Sequence, residues 1–257
     1  MSNLALVTGA SSGIGRALAQ LHAAKKGDLI LVARSGDTLA ALAEELRRDH
    51  GVRVEVVAAD LGDTAGVEKV MAAVRDEPVE ILINNAGFGG HGAHLDRALE
   101  DEIAMVDLNV KALMTLTHAV GGQMAASGRG RILNVGSTAG MMPGPMQAVY
   151  FATKAFVRSY SLALSEELRP RGVTVTVLAP GYVGTGFADR ADLHGTQLTK
   201  GSGATPESVA KVGYEAMMDG KLHVVNERAL GFALNWIIPL LPHRLALGLI
   251  RRLQSKG

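Results

Sequence analysis

Leu4-Ala5-Leu6-Val7-Thr8-Gly9-Ala10-Ser11-Ser12-Gly13-Ile14-Gly15 is the stretch on which the fold turns. A short apolar, strand-like run enters a turn of glycine and serine, and a helical pattern follows it. Glycine allows the backbone to turn tightly and to approach a diphosphate. The N-terminus of the next helix then offers free N–H groups to the same charge. The spacing Gly9-x3-Gly13-x-Gly15 departs from the common G-x-G-x-x-G, and an ordinary Gly/Ser turn would read alike. The strand before it and the helix after it favour a dinucleotide site made by Gly9, Ser11, Ser12, Gly13, Ile14 and Gly15.

Outward from that turn, short apolar runs alternate with helical patterns, the signature of βαβ units and a parallel sheet. Strands are predicted at Leu4–Thr8, Leu29–Ala33, Arg53–Ala58, Glu80–Asn84, Arg131–Gly136, Thr174–Ala179 and Leu222–Val225. The longest helices are predicted over Ala98–Ala126 and Gln147–Arg169, and Thr205-Pro206 opens another that runs to about Met218. The expected architecture is a single α/β domain with a doubly wound sheet, whose ligand lies beyond the C-terminal strand ends.

Those strand ends carry the polar residues. The second strand finishes Ala33-Arg34-Ser35 where an NAD site usually places a carboxylate, and a guanidinium with a hydroxyl suits a 2′-phosphate instead. Asp60-Leu61 follows the third strand. Asn84-Asn85-Ala86-Gly87 follows the fourth, where an Asn can tie loop backbone together or contact a ribose. Asn109 interrupts the apolar stripe of the long helix and needs partners, water or backbone. Ser137 closes the fifth strand, 13 residues before Tyr150. Tyr150 and Lys154 stand four apart on one helical face, so an ammonium can lie near a phenol and lower its pKa toward the working range of a general acid–base. With 4 Tyr and 9 Lys in 257 residues, such a pair often arises by chance; its company gives it weight.

In that order Thr8-Gly9-x3-Gly13-Ile14-Gly15, Asn84-Asn85-Ala86-Gly87, Asn109, Ser137, Tyr150-x3-Lys154 and Pro180-Gly181-x-Val183-x-Thr185 resemble the short-chain dehydrogenases/reductases, over residues 1 to about 225. The resemblance implies a seven-stranded Rossmann-type sheet, an NADP(H) coenzyme and a tetrad of Asn109, Ser137, Tyr150 and Lys154. It assigns Tyr150 as general acid/base, Ser137 to the substrate oxygen and Asn109 to a water in a proton relay. Lys154 would lower the Tyr150 pKa and hold the nicotinamide ribose. Pro180, Gly181, Val183 and Thr185 would meet the carboxamide, Asp60 and Leu61 the adenine, and Asn85, Ala86 and Gly87 the adjoining ribose. Arg34 and Ser35 look like those of NADP-using members. The activity implied is NADPH-dependent reduction of a ketone or aldehyde, or oxidation of the corresponding alcohol; the alternative is a non-catalytic NADP(H)-binding regulator.

Composition removes other classes. A formal charge of +1 and pI near 8.1 give no basic field for nucleic acid, and without Cys there is no disulfide, thiolate nucleophile or Cys-bound metal. No signal peptide is read at the N-terminus, so the expected compartment is the cytoplasm. His91 and His94 alone make a poor metal pair, and no metal is expected. Phe88, Met141, Met142, Met146, Tyr182 and Phe187 are the expected substrate wall, under a glycine-rich lid over about residues 182–205. The catalytic domain is taken as 1–226 and the apolar, basic segment 227–257 as its extension. Pro239, Pro242 and Arg244 break that extension as a membrane span. It packs on its own domain or on a second subunit, or its Trp236 and basic residues lie at a lipid interface. Similar tails in family members acting on steroid-like or long acyl compounds suggest a lipophilic carbonyl substrate. Because the family's usual tetramer contact lies in this segment, the assembly expected here is a homodimer through the two long helices.

Overall fold

The computed structural model describes residues 3–199 and 201–256. Among these, β1 (Leu4–Thr8), β2 (Asp28–Ala33), β3 (Val54–Ala58), β4 (Val79–Asn84), β5 (Gly130–Val135), β6 (Val173–Ala179) and β7 (His223–Val225) form one parallel sheet, ordered 3-2-1-4-5-6-7. Every strand read from the sequence is present, with bounds within a residue. All five β1 residues are buried. Ala5 and Val7 join the core on one face and Leu4 and Leu6 the core on the other, because successive side chains of a strand point to opposite sides. Helices cover both faces, which is why the strands read as continuous apolar runs rather than alternating ones.

The helices are α1 (Gly13–Ala24), α2 (Gly36–His50), α3 (Thr64–Val74), α4 (Leu99–Ala126), α5 (Ala148–Leu168), α6 (Phe187–Arg190), α7 (Pro206–Met218), α8 (Arg228–Leu240) and α9 (His243–Gln254). Helices α1, α2 and α7 cover one face through Leu18, Leu42, Leu46, Tyr214 and Met217; α3 and α4 cover the other through Val70, Leu116, Val120 and Met124. By length and composition α4 could cross a bilayer, yet its Leu116, Val120 and Met124 are buried on β4 and β5. Thr205 caps α7 by accepting a bond from Ser208 N–H, with Pro206 in the first turn, as expected.

Two features were not anticipated. The α4 helix is not uniform: Asp107–Ala112 is wound as a π-helix around Asn109. And α1 is fastened to α7 by a buried His22, which bonds the Tyr214 hydroxyl (2.9 Å) and the Asn3 carbonyl (2.9 Å). Gly27 is required there, since a Cβ would lie 2.0 Å from the His22 ring.

The chain runs β1-β2-β3 outward in one direction and then returns to place β4 on the other side of β1. Connections therefore diverge at the C-terminal ends of β1 and β4, and a crevice opens at that switch point.

Candidate active site

A cleft of about 1030 Å³ lies over those strand ends. At its floor the Thr8 hydroxyl accepts bonds from the N–H groups of Asn85 (2.9 Å) and Ala86 (3.0 Å). Asn85 returns the tie, its amide donating to the Thr8 (3.0 Å) and Gly9 (3.2 Å) carbonyls. Asn85 is therefore a clamp between β1 and β4, and it lines the cleft together with Ala86 and Gly87. Gly9 turns at φ +65°. Gly15 lies beneath the turn rather than in the cleft wall; a Cβ there would meet Gly9 O at 2.3 Å and Asn85 Nδ2 at 2.4 Å. Ser12 precedes α1 without capping it, which leaves N–H donors of the first turn open to the cleft.

The remaining coenzyme candidates also line this cleft: Arg34, Ser35, Asp60, Leu61, Pro180, Gly181, Val183 and Thr185. Arg34 is largely exposed and 4.0 Å from the Asp60 carboxylate. The open N–H groups at the start of α1, after a turn with Gly9 and Gly13 at positive φ, and the open guanidinium of Arg34 fit a phosphate-bearing dinucleotide.

Ser137, Tyr150 and Lys154 converge on the same cleft. Ser137 stands at the end of β5, where its hydroxyl accepts from Ala139 N–H (3.1 Å) and shares a hydrogen bond with Tyr150. Helix α5 carries Tyr150 and Lys154, 8% and 6% exposed. Gly140 allows the Ser137 loop to lie on α5, for a Cβ would fall 2.4 Å from the Lys154 carbonyl. Lys154 donates to the Val135 carbonyl (2.9 Å), and its ammonium is 6.0 Å from the centre of the Tyr150 ring.

The pKa direction of Tyr150 departs from expectation. Burial pushes the phenol up to about 12, with the Ser137 bond pulling the other way. Burial also brings Lys154 down to about 8. Each group is desolvated, and a charged form loses more than its neighbour returns.

Asn109 is buried behind this set rather than in the cleft wall. Its amide donates to the Phe88 carbonyl (2.9 Å) and Thr153 hydroxyl (3.2 Å) and accepts from Phe88 N–H (3.1 Å). Gly87 lies between it and Lys154; a Cβ there would be 2.9 Å from Asn109 Oδ1 and 3.5 Å from Lys154 Nζ. The π turn of α4 brackets this one amide, a placement in which an extra residue per turn re-aims a side chain.

A family profile described as short chain dehydrogenase matches residues 3–194, three quarters of the molecule. The chain belongs to the short chain dehydrogenase family. It is 38% identical over 185 residues to the NADP-dependent 3-hydroxy acid dehydrogenase YdfG of Salmonella typhi, covering 70% of this chain and 73% of that one. Two solved structures share the fold. A short-chain dehydrogenase from Sphingobium yanoikuyae in complex with NADPH is 33% identical with a TM-score of 0.83, over 93% of this chain and 96% of that one. One from Burkholderia phymatum in complex with NAD is 25% identical with a TM-score of 0.81, over 99% and 97%.

The substrate side of this short chain dehydrogenase differs from the expected wall. Phe88, Met142, Tyr182 and Phe187 line the cleft, but Met141 and Met146 do not. Met141 ends the 3-10 turn Thr138–Met141, after which the chain straightens (Met142 φ −159°, ψ 160°), so adjacent side chains point apart. Met146 sits at φ +69°, with its carbonyl held by Gly92 N–H (2.8 Å). In their place stand Ile250, Leu253 and Gln254 of α9. The His243–Gln254 helix crosses the cleft mouth, and its tie points are specific. Gln147 donates to the Gln254 side chain (2.5 Å), His91 bonds the Gln254 carbonyl (2.7 Å), and Lys256 pairs with Asp192, just after α6 (2.6 Å). His91 is thus committed to the tail, and among the described residues no group of three His, Asp or Glu is placed to hold a metal. The signal for α9 was in the sequence: Ala246, Ile250 and Gln254, four residues apart, are its buried stripe.

Arg190 of α6 was also missed. Its guanidinium lies over the Phe88 ring, 4.5 Å from the centroid, and burial together with repulsion from Arg34 lowers its pKa. It bridges the lid to the opposite wall, over the coenzyme end of the cleft.

Proposed function

We propose that this chain is an NADPH-dependent oxidoreductase that reduces a ketone or aldehyde, or oxidises the corresponding secondary alcohol, on an apolar substrate. The observation that carries the reading is the convergence of Ser137, Tyr150 and Lys154, two of them buried, on a cleft whose other end is built for a dinucleotide. When bound, the nicotinamide coenzyme supplies a hydride. The chain's own residues handle the rest. The first turn of α1 and the Gly9–Gly13 backbone hold the diphosphate, and Arg34 with Ser35 holds the 2′-phosphate. Ser137 and Tyr150 donate hydrogen bonds to the carbonyl oxygen, and Tyr150 gives it a proton as charge develops there. Lys154 holds the nicotinamide ribose and lends positive charge. Asn109 fixes the Phe88 backbone and, with its remaining acceptor site, a water of the proton relay.

Apolar character is supported by the walls, Phe88, Met142, Tyr182, Phe187, Ile250 and Leu253. A cytoplasmic homodimer is the setting this reading expects. The outer surface of α4 and α5 supports it: Leu99 and Ile103 are exposed beside an apolar hollow of about 490 Å³ lined by Val106, Val110, Val149 and Ala152. A light-scattering mass of one chain would reject the dimer.

The test of the function is a screen of apolar ketones and aldehydes of increasing length, followed by NADPH absorbance. Turnover that vanishes in Tyr150→Phe while NADPH still binds supports it. Wild-type turnover in Tyr150→Phe defeats it, and tight NADPH binding with no turnover on any carbonyl leaves the regulator in its place.

A further inference from the structure

The last thirty residues divide the molecule electrically. From Arg228 on there are five Lys or Arg and no Asp or Glu, so the formal +1 of the chain is a +5 tail on a −4 body. Among the described residues, Arg228, Arg244, Arg251 and Arg252 have no ion-pair partner; Lys256 alone is committed, to Asp192. The same segment carries the densest run of exposed apolar side chains: Phe232 (61% exposed), Trp236 (68%), Ile237 and Leu240 (83%) on α8, and Leu245, Leu249 and Leu253 on α9. Single exposed apolar residues need no explanation, but a cluster of this kind within a basic segment does.

Both helices adjoin the cleft. The Ala233–Ile237 stretch of α8 packs on the Thr138–Met141 turn, which carries the loop behind Ser137, and α9 walls the cleft itself. On α9 the periodicity of 3.6 places Ala246, Ile250 and Gln254 inward and Leu245, Leu249 and Leu253 in the next sector outward, with Arg252 along its edge and Arg244 and Arg251 farther round. Leucines toward a surface, Arg252 at their margin and a tryptophan nearby match a helix lying in a lipid headgroup layer. Arginine can keep its stem on the apolar side and its head among phosphates.

We propose that α8 and α9 dock this protein on an anionic lipid surface, with the mouth of the catalytic cleft turned toward the bilayer. Leu253 belongs both to the exposed stripe and to the cleft wall, so the docking face runs into the site. Charge chooses this occupant over a second copy of the chain. A two-fold contact through the same segment would bring its four unpaired arginines toward the same four of the second copy, whereas anionic headgroups complement them.

Trp236 is the only tryptophan, so its emission reports on this face alone. The full chain is mixed with phosphatidylcholine vesicles with and without about 30 mol% phosphatidylglycerol, and both sedimentation and emission are recorded. The expected result is co-sedimentation and a blue shift with the anionic vesicles, little of either with phosphatidylcholine alone, and release at about 0.5 M salt. The double variant Arg251→Gln/Arg252→Gln should weaken vesicle binding by roughly tenfold or more with an unchanged far-UV circular dichroism spectrum. Absence of binding by the wild-type chain to anionic vesicles overturns the proposal, as does equal, salt-insensitive binding to both vesicle types. So does a blue-shifted Trp236 that follows protein concentration and a rising light-scattering mass without lipid, which would assign the face to a second copy.

Discussion

Tyr150 and Lys154 are each pushed by burial toward their neutral forms, the phenol to about 12 and the ammonium to about 8. At neutral pH, then, Tyr150 holds its proton and Lys154 keeps most of its charge. This is the state required of an acid that protonates a carbonyl oxygen, and it sets the pH profile. The kcat/KM for NADPH, which reports the free enzyme, should be level through neutrality and fall as pH rises past about 8, where Lys154 loses its proton. A profile that falls toward acid instead would refute the assignment. Tyr150→Phe should lower kcat by about 10²–10⁴-fold, the usual worth of a positioned proton donor, with little change in NADPH affinity measured by fluorescence titration. At the other end of the cleft, Arg34→Asp replaces a cation by a charge that repels a 2′-phosphate. It should raise the KM for NADPH by roughly 10–100-fold, equivalent to losing about 1.5–3 kcal/mol of charge-assisted bonding, and leave NADH less affected. Equal losses for both coenzymes would show that Arg34 does not discriminate.

At the scale of elements, the α1–α7 contact rests on a neutral histidine. Burial lowers the His22 pKa below its ordinary value near 6.5. Below that pH the unfolded chain binds a proton that the native ring refuses, so the stability from His22 is fully present above about 6.5 and is lost as pH falls. The unfolding free energy from urea titrations should therefore drop between pH 7 and pH 5 more steeply in the wild type than in His22→Asn, by at most ~1.4 kcal/mol per pH unit. Parallel profiles would place the acid sensitivity elsewhere. This element pair also shows where reading the sequence stops. The strands were legible because burial on both faces makes each an uninterrupted apolar run, and the Gly9–Gly15 turn because backbone shape demands glycine. The Ser137, Tyr150 and Lys154 positions were marked by a strand end and helical spacing, and the family resemblance gave them their roles. His22 with Tyr214, 192 residues apart, and the π turn around Asn109 depend on contacts between distant segments, which no local pattern encodes. The rise in the Tyr150 pKa was missed for the same reason: four-residue spacing places a cation nearby but says nothing of how dry the site is.

Over the whole molecule, the tail acts as a strap across the cleft, since it touches Gln147 and His91 on one lip and Asp192 on the other. The contacts differ in weight. Lys256–Asp192 is solvent-exposed and worth at most about 1 kcal/mol. Gln254 is buried and shares its amide with Gln147, whose own Oε1 has no partner, so removing Gln254 would leave the whole Gln147 amide unsatisfied. That costs the closed tail roughly 1–3 kcal/mol, or about a 5- to 160-fold change in how often α9 is seated. Because Ile250 packs with Tyr150 and Phe151 at the substrate end, Gln254→Ala should raise the KM for a bulky apolar carbonyl by about tenfold or more. The Kd for NADPH, whose proposed contacts lie at the Gly9–Gly13 turn and Arg34, should stay within about twofold, because sites without shared partners act independently. Lys256→Ala, by the same logic, should change either constant little. If Gln254→Ala leaves the carbonyl KM untouched, α9 is a bystander to catalysis.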